Sequence, residues 1–262
     1  MNQLLSDKTF VIIGGTTGIG LSTAESFISE GAKVVVVGRN SNNVEKAKST
    51  LGKSALGLTG DATRAETAVK AIDLATKKFG GFNGLYHVAG GSGREMGDGP
   101  LDEVTDNGWA KTIDLNLSSV FYSNRAALQR FTKLGQSGVI LNMTSILSFS
   151  PSPKYFATHA YATAKSAIIG LTKSTAAYYA SRDIRINAIA PSLIDTPMSE
   201  RAKANDEIMN FINNKQPLDG GRIGLPTDLN GAAILLMSDA AKFITGQVLA
   251  IDGGWSLSEG NY

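Results

Sequence analysis

The chain has 262 residues, of which 42% are hydrophobic and 18% charged, with a formal net charge of +2 at pH 7. That balance excludes a disordered or membrane-embedded protein and supplies no charge excess for nucleic acid or anionic lipid. The lack of cysteine excludes disulfides, thiolate catalysis and zinc-thiolate sites.

No apolar run approaches the roughly 18 residues of a membrane span, and the N-terminus has no signal-peptide pattern. The expectation is a cytoplasmic protein folded as one domain over residues 1–262, with no metal site.

Thr9 to Ile13 is short, apolar and β-branched, and reads as a buried strand. Gly14, Gly15, Thr16, Thr17, Gly18, Ile19 and Gly20 follow. Leu21 to Ser29 then has helical spacing, with Leu21, Ala24, Phe27 and Ile28 apolar. Strand, glycine-rich turn and helix in that order is the context of a dinucleotide site. The glycines let the backbone turn tightly and approach a pyrophosphate, which sits at the helix N-terminus.

Lys33 to Val37 is a second strand, nearly all apolar, as a parallel sheet covered on both faces requires. It runs into Gly38, Arg39 and Asn40. An acid at this place would hold a ribose 2′-hydroxyl, whereas an Arg suits a 2′-phosphate. With Arg39 and no acid, the reading favours NADPH over NADH.

Leu56 to Leu58 and Leu85 to Val88 are further strands, separated by an amphipathic helix over Ala65 to Phe79. Asp61 lies just past the first and Ala89 with Gly90 past the second, at carboxyl ends of strands, where open α/β sheets bind ligands. The stretch 91–100 is glycine-rich and polar, and reads as a loop or a substrate rim.

Trp109 to Leu134 reads as one long helix carrying Asn116, a mediocre helix former whose presence there asks for a reason. Val139 to Met143 is a strand ending at Thr144 and Ser145. Tyr161 and Lys165 follow, four positions apart on a helix running to Ala180 and hence on one face. An ammonium near a phenol favours the phenolate, so the expectation is a Tyr161 pKa below its usual value of roughly 10. Ile184 to Ile189 is a strand ending at Pro191. The segment 192–219 is a long excursion with a helix over Asp206 to Asn213. Leu229 to Ser238 is helical and Val248 to Ile251 is the last strand. Strands alternating with helices define the fold class: α/β, a doubly wound parallel sheet in a Rossmann-type three-layer single domain.

These motifs together resemble the short-chain dehydrogenase/reductase family from Thr9 to about Trp255. The TGxxxGxG fingerprint is matched from Ile13 to Gly20, with Ile13 in place of Thr. Asp61, followed by Ala62, matches the family's adenine-contacting Asp. The NNAG segment reads His87, Val88, Ala89, Gly90, without its asparagines. Asn116, Ser145, Tyr161 and Lys165 match the family's catalytic residues. Pro191, Ile194 and Thr196 match the segment beside the nicotinamide, and Thr245 to Gly254 is also family-like. The interval from Ser145 to Tyr161 is wider than usual, implying an insertion within 146–160.

The resemblance implies an NAD(P)(H)-dependent oxidoreductase acting on a ketone or secondary alcohol. Tyr161 would be the acid or base, and Lys165 would tune it and hold ribose hydroxyls. Ser145 would bind the carbonyl oxygen, and Asn116 would hold backbone and a relay water. A homotetramer is implied, formed through the Tyr161 helix and the C-terminal region to Tyr262. Phe149, Tyr155, Phe156, Met198, Met209 and Phe211 suggest a partly apolar pocket, although core packing explains them equally. The substrate could be a 3-oxoacyl thioester, a cyclic ketone or a steroid-like compound. Two other readings stay open: a non-catalytic cofactor-binding regulator or scaffold, and a lyase or isomerase without net redox.

Overall fold

The structure is a computed structural model, and it describes residues 3–260; Tyr262 lies outside them. The strands are β1 (Thr9–Ile13), β2 (Lys33–Gly38), β3 (Ala55–Thr59), β4 (Gly84–His87), β5 (Gly138–Met143), β6 (Ile184–Pro191) and β7 (Val248–Ile251). They form a seven-stranded sheet in the order β3-β2-β1-β4-β5-β6-β7. Each neighbouring pair is parallel. The order reverses between β1 and β4, which opens a crevice at the carboxyl ends of those two strands.

Side-chain alternation explains the three layers. Phe10 and Ile12 of β1 and Val34 and Val36 of β2 enter one core with helix α1 (Gly18–Ser29) and helix α2 (Ser41–Leu51). Val11, Ile13, Val35 and Val37 enter the other, with α3 (Ala65–Phe79). Apolar side chains on both faces are what make these strands continuous hydrophobic runs.

The long helix expected over Trp109 to Leu134 is two helices, α4 (Asp106–Ile113) and α5 (Ser119–Leu134). A single π turn, Asp114–Ser118, joins them. Hydrophobic spacing does not reveal one extra residue per turn, and the reason for the turn is Asn116. Helix α2 was not anticipated: only Val44, Ala47 and Leu51 are buried among polar neighbours, and Asn40 caps it by accepting from the Asn43 amide at 3.0 Å. Helix α6 (His159–Tyr179) carries Tyr161 and Lys165. Past β6 come the short helix α7 (Glu200–Lys203), helix α8 (Asp206–Lys215) and helix α9 (Asn230–Met237).

A third, smaller core holds Ile146, Ile208, Ile212 and Trp255, with Tyr155, Phe156 and Phe211 packed against it. The Tyr155 and Phe211 rings meet at 4.9 Å, and Phe211 and Trp255 at 5.6 Å. Three of the six residues suggested as an apolar pocket are thus packing residues. Phe149 and Met198 are exposed instead.

Candidate active site

The glycine run adopts a conformation that other residues resist. Gly14 has φ +87°, and a Cβ there would lie 2.6 Å from the Ala89 amide nitrogen. At Gly20 a Cβ would lie 2.1 Å from the Gly14 carbonyl oxygen. The turn is anchored to β2 by the Gly14 and Gly15 amides, which donate to the Val37 carbonyl at 2.9 and 3.1 Å. Helix α1 starts after Thr17 with no side-chain cap and no acid in its first turn. Its leading N–H groups are therefore open to an anion, which favours the positive end of the helix dipole. These features fit a dinucleotide pyrophosphate.

The crevice gathers most of the motif residues. Thr16 packs against Gly38, and Gly18 against Thr196. Ile194 is buried and bridges to Gly224, and Pro191 pairs with Ile251. Ile19 packs against the first core and Ala62 against the second. At the far end, Arg39 is exposed and forms no ion pair among the described residues. One Asp61 carboxylate oxygen accepts from the Thr63 amide and hydroxyl, both at 2.9 Å.

At the β4 end, Gly90 sits against Asn116 and Lys165, and a Cβ there would lie 2.8 and 3.3 Å from their polar atoms. Asn116 is fully buried. Its Nδ2 donates to the carbonyls of Gly91 (2.9 Å) and Thr112 (3.0 Å), and its Oδ1 accepts from the Gly91 amide at 3.1 Å. Three bonds of about 1 kcal/mol each outweigh the few tenths lost by placing Asn in a helix. The π turn is the distortion at which this clamp sits.

Without the family's asparagines, the β4 turn is held by His87. Its ring is fully buried, with nitrogens 2.7 Å from Ser123 Oγ, 3.3 Å from Ser119 Oγ and 3.2 Å from the Ala89 carbonyl. Burial, reinforced by the Lys165 charge, lowers its pKa to about 3, so the ring is neutral.

Lys165 is buried, with Nζ donating to the Met143 carbonyl at 2.9 Å and standing 5.6 Å from the Tyr161 ring centre. Burial lowers its pKa to about 8. An ammonium has three donors, so two remain beyond the Met143 bond. Tyr161 departs from expectation: burial raises its phenol above the usual value, and the Ser145 hydroxyl beside it opposes that shift. Desolvation of the phenolate, rather than the neighbouring cation, dominates.

Ser145 is buried at the end of β5, accepting from the Leu147 amide at 3.3 Å. The two alternative hydroxyls are engaged elsewhere. Thr144 donates to the Lys165 carbonyl at 2.6 Å, and Ser148 donates to the Ser145 carbonyl.

Asp98 was not anticipated. It is buried, and its carboxylate accepts from the Ala160 and Tyr161 amides at 2.9 and 2.8 Å, capping α6. The loop 91–100 is thereby anchored to the helix that carries Tyr161. No local signal reveals this, because cap and helix are 62 positions apart.

A doubly wound sheet with a glycine cradle at its switch point defines a dinucleotide-binding α/β enzyme. The family model described as enoyl-(acyl carrier protein) reductase matches residues 14–256. The NADP-dependent (R)-specific alcohol dehydrogenase of Lentilactobacillus kefiri is 32% identical, covering 98% of this chain and 99% of that one. The 3-oxoacyl-(acyl-carrier-protein) reductase of Chlamydia trachomatis is 34% identical, covering 97% and 99%. Among solved structures, a 3-ketoacyl-(acyl-carrier-protein) reductase from Brucella melitensis complexed with NADH superposes with a TM-score of 0.84. Its identity is 28%, over 97% of this chain and 100% of that one. The chain belongs to the short-chain dehydrogenase/reductase family, and it is an oxidoreductase that interconverts C=O and CH–OH with NAD(P).

Proposed function

We propose that the protein is an NADPH-dependent carbonyl reductase in which Asn116, Ser145, Tyr161 and Lys165 are the catalytic residues. The observation that carries the cofactor preference is Arg39: a free guanidinium at the carboxyl end of β2, where NAD enzymes place an acid. Residues 14–20 would hold the pyrophosphate, and Asp61 with Ala62 would hold the adenine. Ala89, Gly90, Pro191, Ile194 and Thr196 would hold the nicotinamide half. A reduced nicotinamide held there would supply the hydride for the carbonyl carbon. Tyr161 donates its phenolic proton to the carbonyl oxygen, a role suited to a phenol whose pKa burial raises. Ser145 donates a hydrogen bond to the same oxygen as charge develops on it. Lys165 offers its two remaining donors to ribose hydroxyls, and Asn116 holds the Gly91 backbone that forms the floor.

Separate titrations with NADPH and NADH test this reading. We expect NADPH to bind at least tenfold more tightly, a difference of about 1.4 kcal/mol. Arg39→Ala should abolish that gap while leaving NADH binding unchanged. Equal affinities in the unmodified protein would remove the 2′-phosphate role of Arg39.

Residues 1–262 are read as one cofactor-binding unit in the cytoplasm, with 192–219 as its substrate-side excursion. A homotetramer is supported by apolar side chains left exposed in two places: Phe121 and Tyr178 on α5 and α6, and Phe243, Leu249 and Leu257 near β7. Sedimentation of a monomer at micromolar concentration would overturn it.

A further inference from the structure

Beside the N-terminus of α6 is a cavity of about 500 Å³, whose lining includes Arg94, Pro153, Lys154, Tyr155, Arg201 and Glu207. Pro153, Lys154 and Tyr155 come from the segment 146–160 that is longer than the family's usual one. One wall of the cavity thus comes from the segment in which the family resemblance implies an insertion.

Its charges are not balanced. Lys154 and Glu207 neutralise each other at 2.6 Å, and Glu207 also accepts from the Tyr155 hydroxyl at 2.9 Å. The half-buried Arg94 and the exposed Arg201 both donate to one oxygen, the Tyr155 carbonyl, at 3.2 and 3.3 Å. Neither guanidinium has an ion-pair partner among the described residues. The nearby Asp98 carboxylate is committed to the Ala160 and Tyr161 amides. Burial and the Arg201 charge both depress the Arg94 pKa, and Asp98 only partly opposes them. Two cations converging on a single neutral oxygen repel each other, and an anion between them relieves that repulsion. The planar forks suit the paired oxygens of a carboxylate or phosphate.

The cavity is also near the reacting centre. Ala157 is in its lining and lies four residues before Tyr161, so their Cα atoms are at most ~14 Å apart. We propose that the carbonyl substrate carries an anionic group, a carboxylate or a phosphate, and that Arg94 and Arg201 bind it while the ketone lies at Tyr161. This rests on the reductase reading of the site and adds the substrate class to it.

The test is a calorimetric titration of the full-length protein with NADP present, using cyclohexanecarboxylate, its uncharged carboxamide and 4′-phosphopantetheine. At least one anion should bind at least about tenfold more tightly than the carboxamide, as expected for charge-assisted hydrogen bonds. Tighter binding of the carboxylate identifies keto acids, and tighter binding of phosphopantetheine identifies carrier-linked acyl groups. Arg94→Met and Arg201→Met should each remove the preference with the melting temperature unchanged. Arg94→Lys, which keeps charge but loses the fork, should remove part of it. The double change Lys48→Met with Glu45→Gln, which removes an ion pair on α2 outside the cavity, should leave it within about twofold.

No preference in the unmodified protein, or a preference surviving in both Met variants, overturns the proposal. Reduction of a ketone that carries the anion, 4-oxocyclohexanecarboxylate or acetoacetyl-4′-phosphopantetheine according to the anion preferred, followed in parallel separates the two readings. Its absence with intact anion binding would strike the reductase assignment and leave the anion site standing.

Discussion

Replacing Tyr161 with Phe should lower kcat for ketone reduction by roughly 10²–10⁴-fold, the range that a positioned proton donor contributes. NADPH affinity should stay close to that of the unmodified protein. The side chain loses a single oxygen, so packing in α6 is retained, and the Asp98 bond to the Tyr161 amide does not involve the ring. Near-normal turnover in that variant would sink the assignment. So would loss of cofactor binding on the same scale, because it would make Tyr161 a binding residue first.

The pH profile adds a direction to the same prediction. Lys165 has a pKa lowered to about 8 by burial, so its ammonium is present below that pH and lost above it. For reduction, kcat/KM should therefore hold at neutral pH and fall as pH rises through about 8. In Lys165→Arg, whose charge persists to much higher pH, any remaining activity should keep its plateau further into the alkaline range. A profile flat to pH 10 in the unmodified enzyme would show that the Lys165 charge does not matter to the step.

Gly20→Ala should be the most damaging small change outside the catalytic residues. The added methyl would begin 2.1 Å from the Gly14 carbonyl oxygen, a backbone atom that cannot rotate away. Overpacking of this kind costs about 1–3 kcal/mol. Relief requires the turn to move off the Val37 carbonyl that anchors Gly14 and Gly15. We expect a lower melting temperature and an NADPH affinity reduced at least tenfold, measured by thermal unfolding and fluorescence titration. Gly170→Ala is the matched control, since a Cβ there meets nothing within 4 Å. A Gly20→Ala protein indistinguishable from that control would show that the loop yields freely.

Much of the fold was legible because its signals are local. A strand buried on both faces has to be an apolar run, so β1 was read with the bounds it has, and β7, a partly exposed edge strand, was too because it is a short apolar run. Helix α3 has a clean apolar stripe through Ala68, Ala71, Ile72 and Ala75, and it too matched over Ala65–Phe79. Helix α2 was missed for the opposite reason: most of its residues are Asn, Ser, Lys or Glu, and its N-cap is a single Asn.

The candidate site was legible as motifs, each carried on a strand end or a helix. What was not legible depends on contacts across distant segments. His87 holding its own turn needs Ser119 and Ser123 from α5, and Asp98 capping α6 needs a loop folded back over 62 positions. The Tyr161 pKa went the other way because spacing reports the nearby charge and says nothing about how much water is excluded. Arg94 and Arg201, 107 positions apart in sequence, become neighbours only through the Tyr155 carbonyl.

The strand order has a consequence for how the protein is made. β1 is an early strand in the chain but lies inside the sheet, and its Ile13 pairs with His87, about 74 residues later. At a synthesis rate of about 5–20 residues per second, the first half of the nucleotide cradle waits roughly 4–15 s for the strand that forms its other wall. Thr196, which packs on Gly18, arrives later still. A growing chain thus has no complete dinucleotide cleft until its sixth strand has emerged, and cofactor capture marks a molecule in which both halves of the sheet have come together.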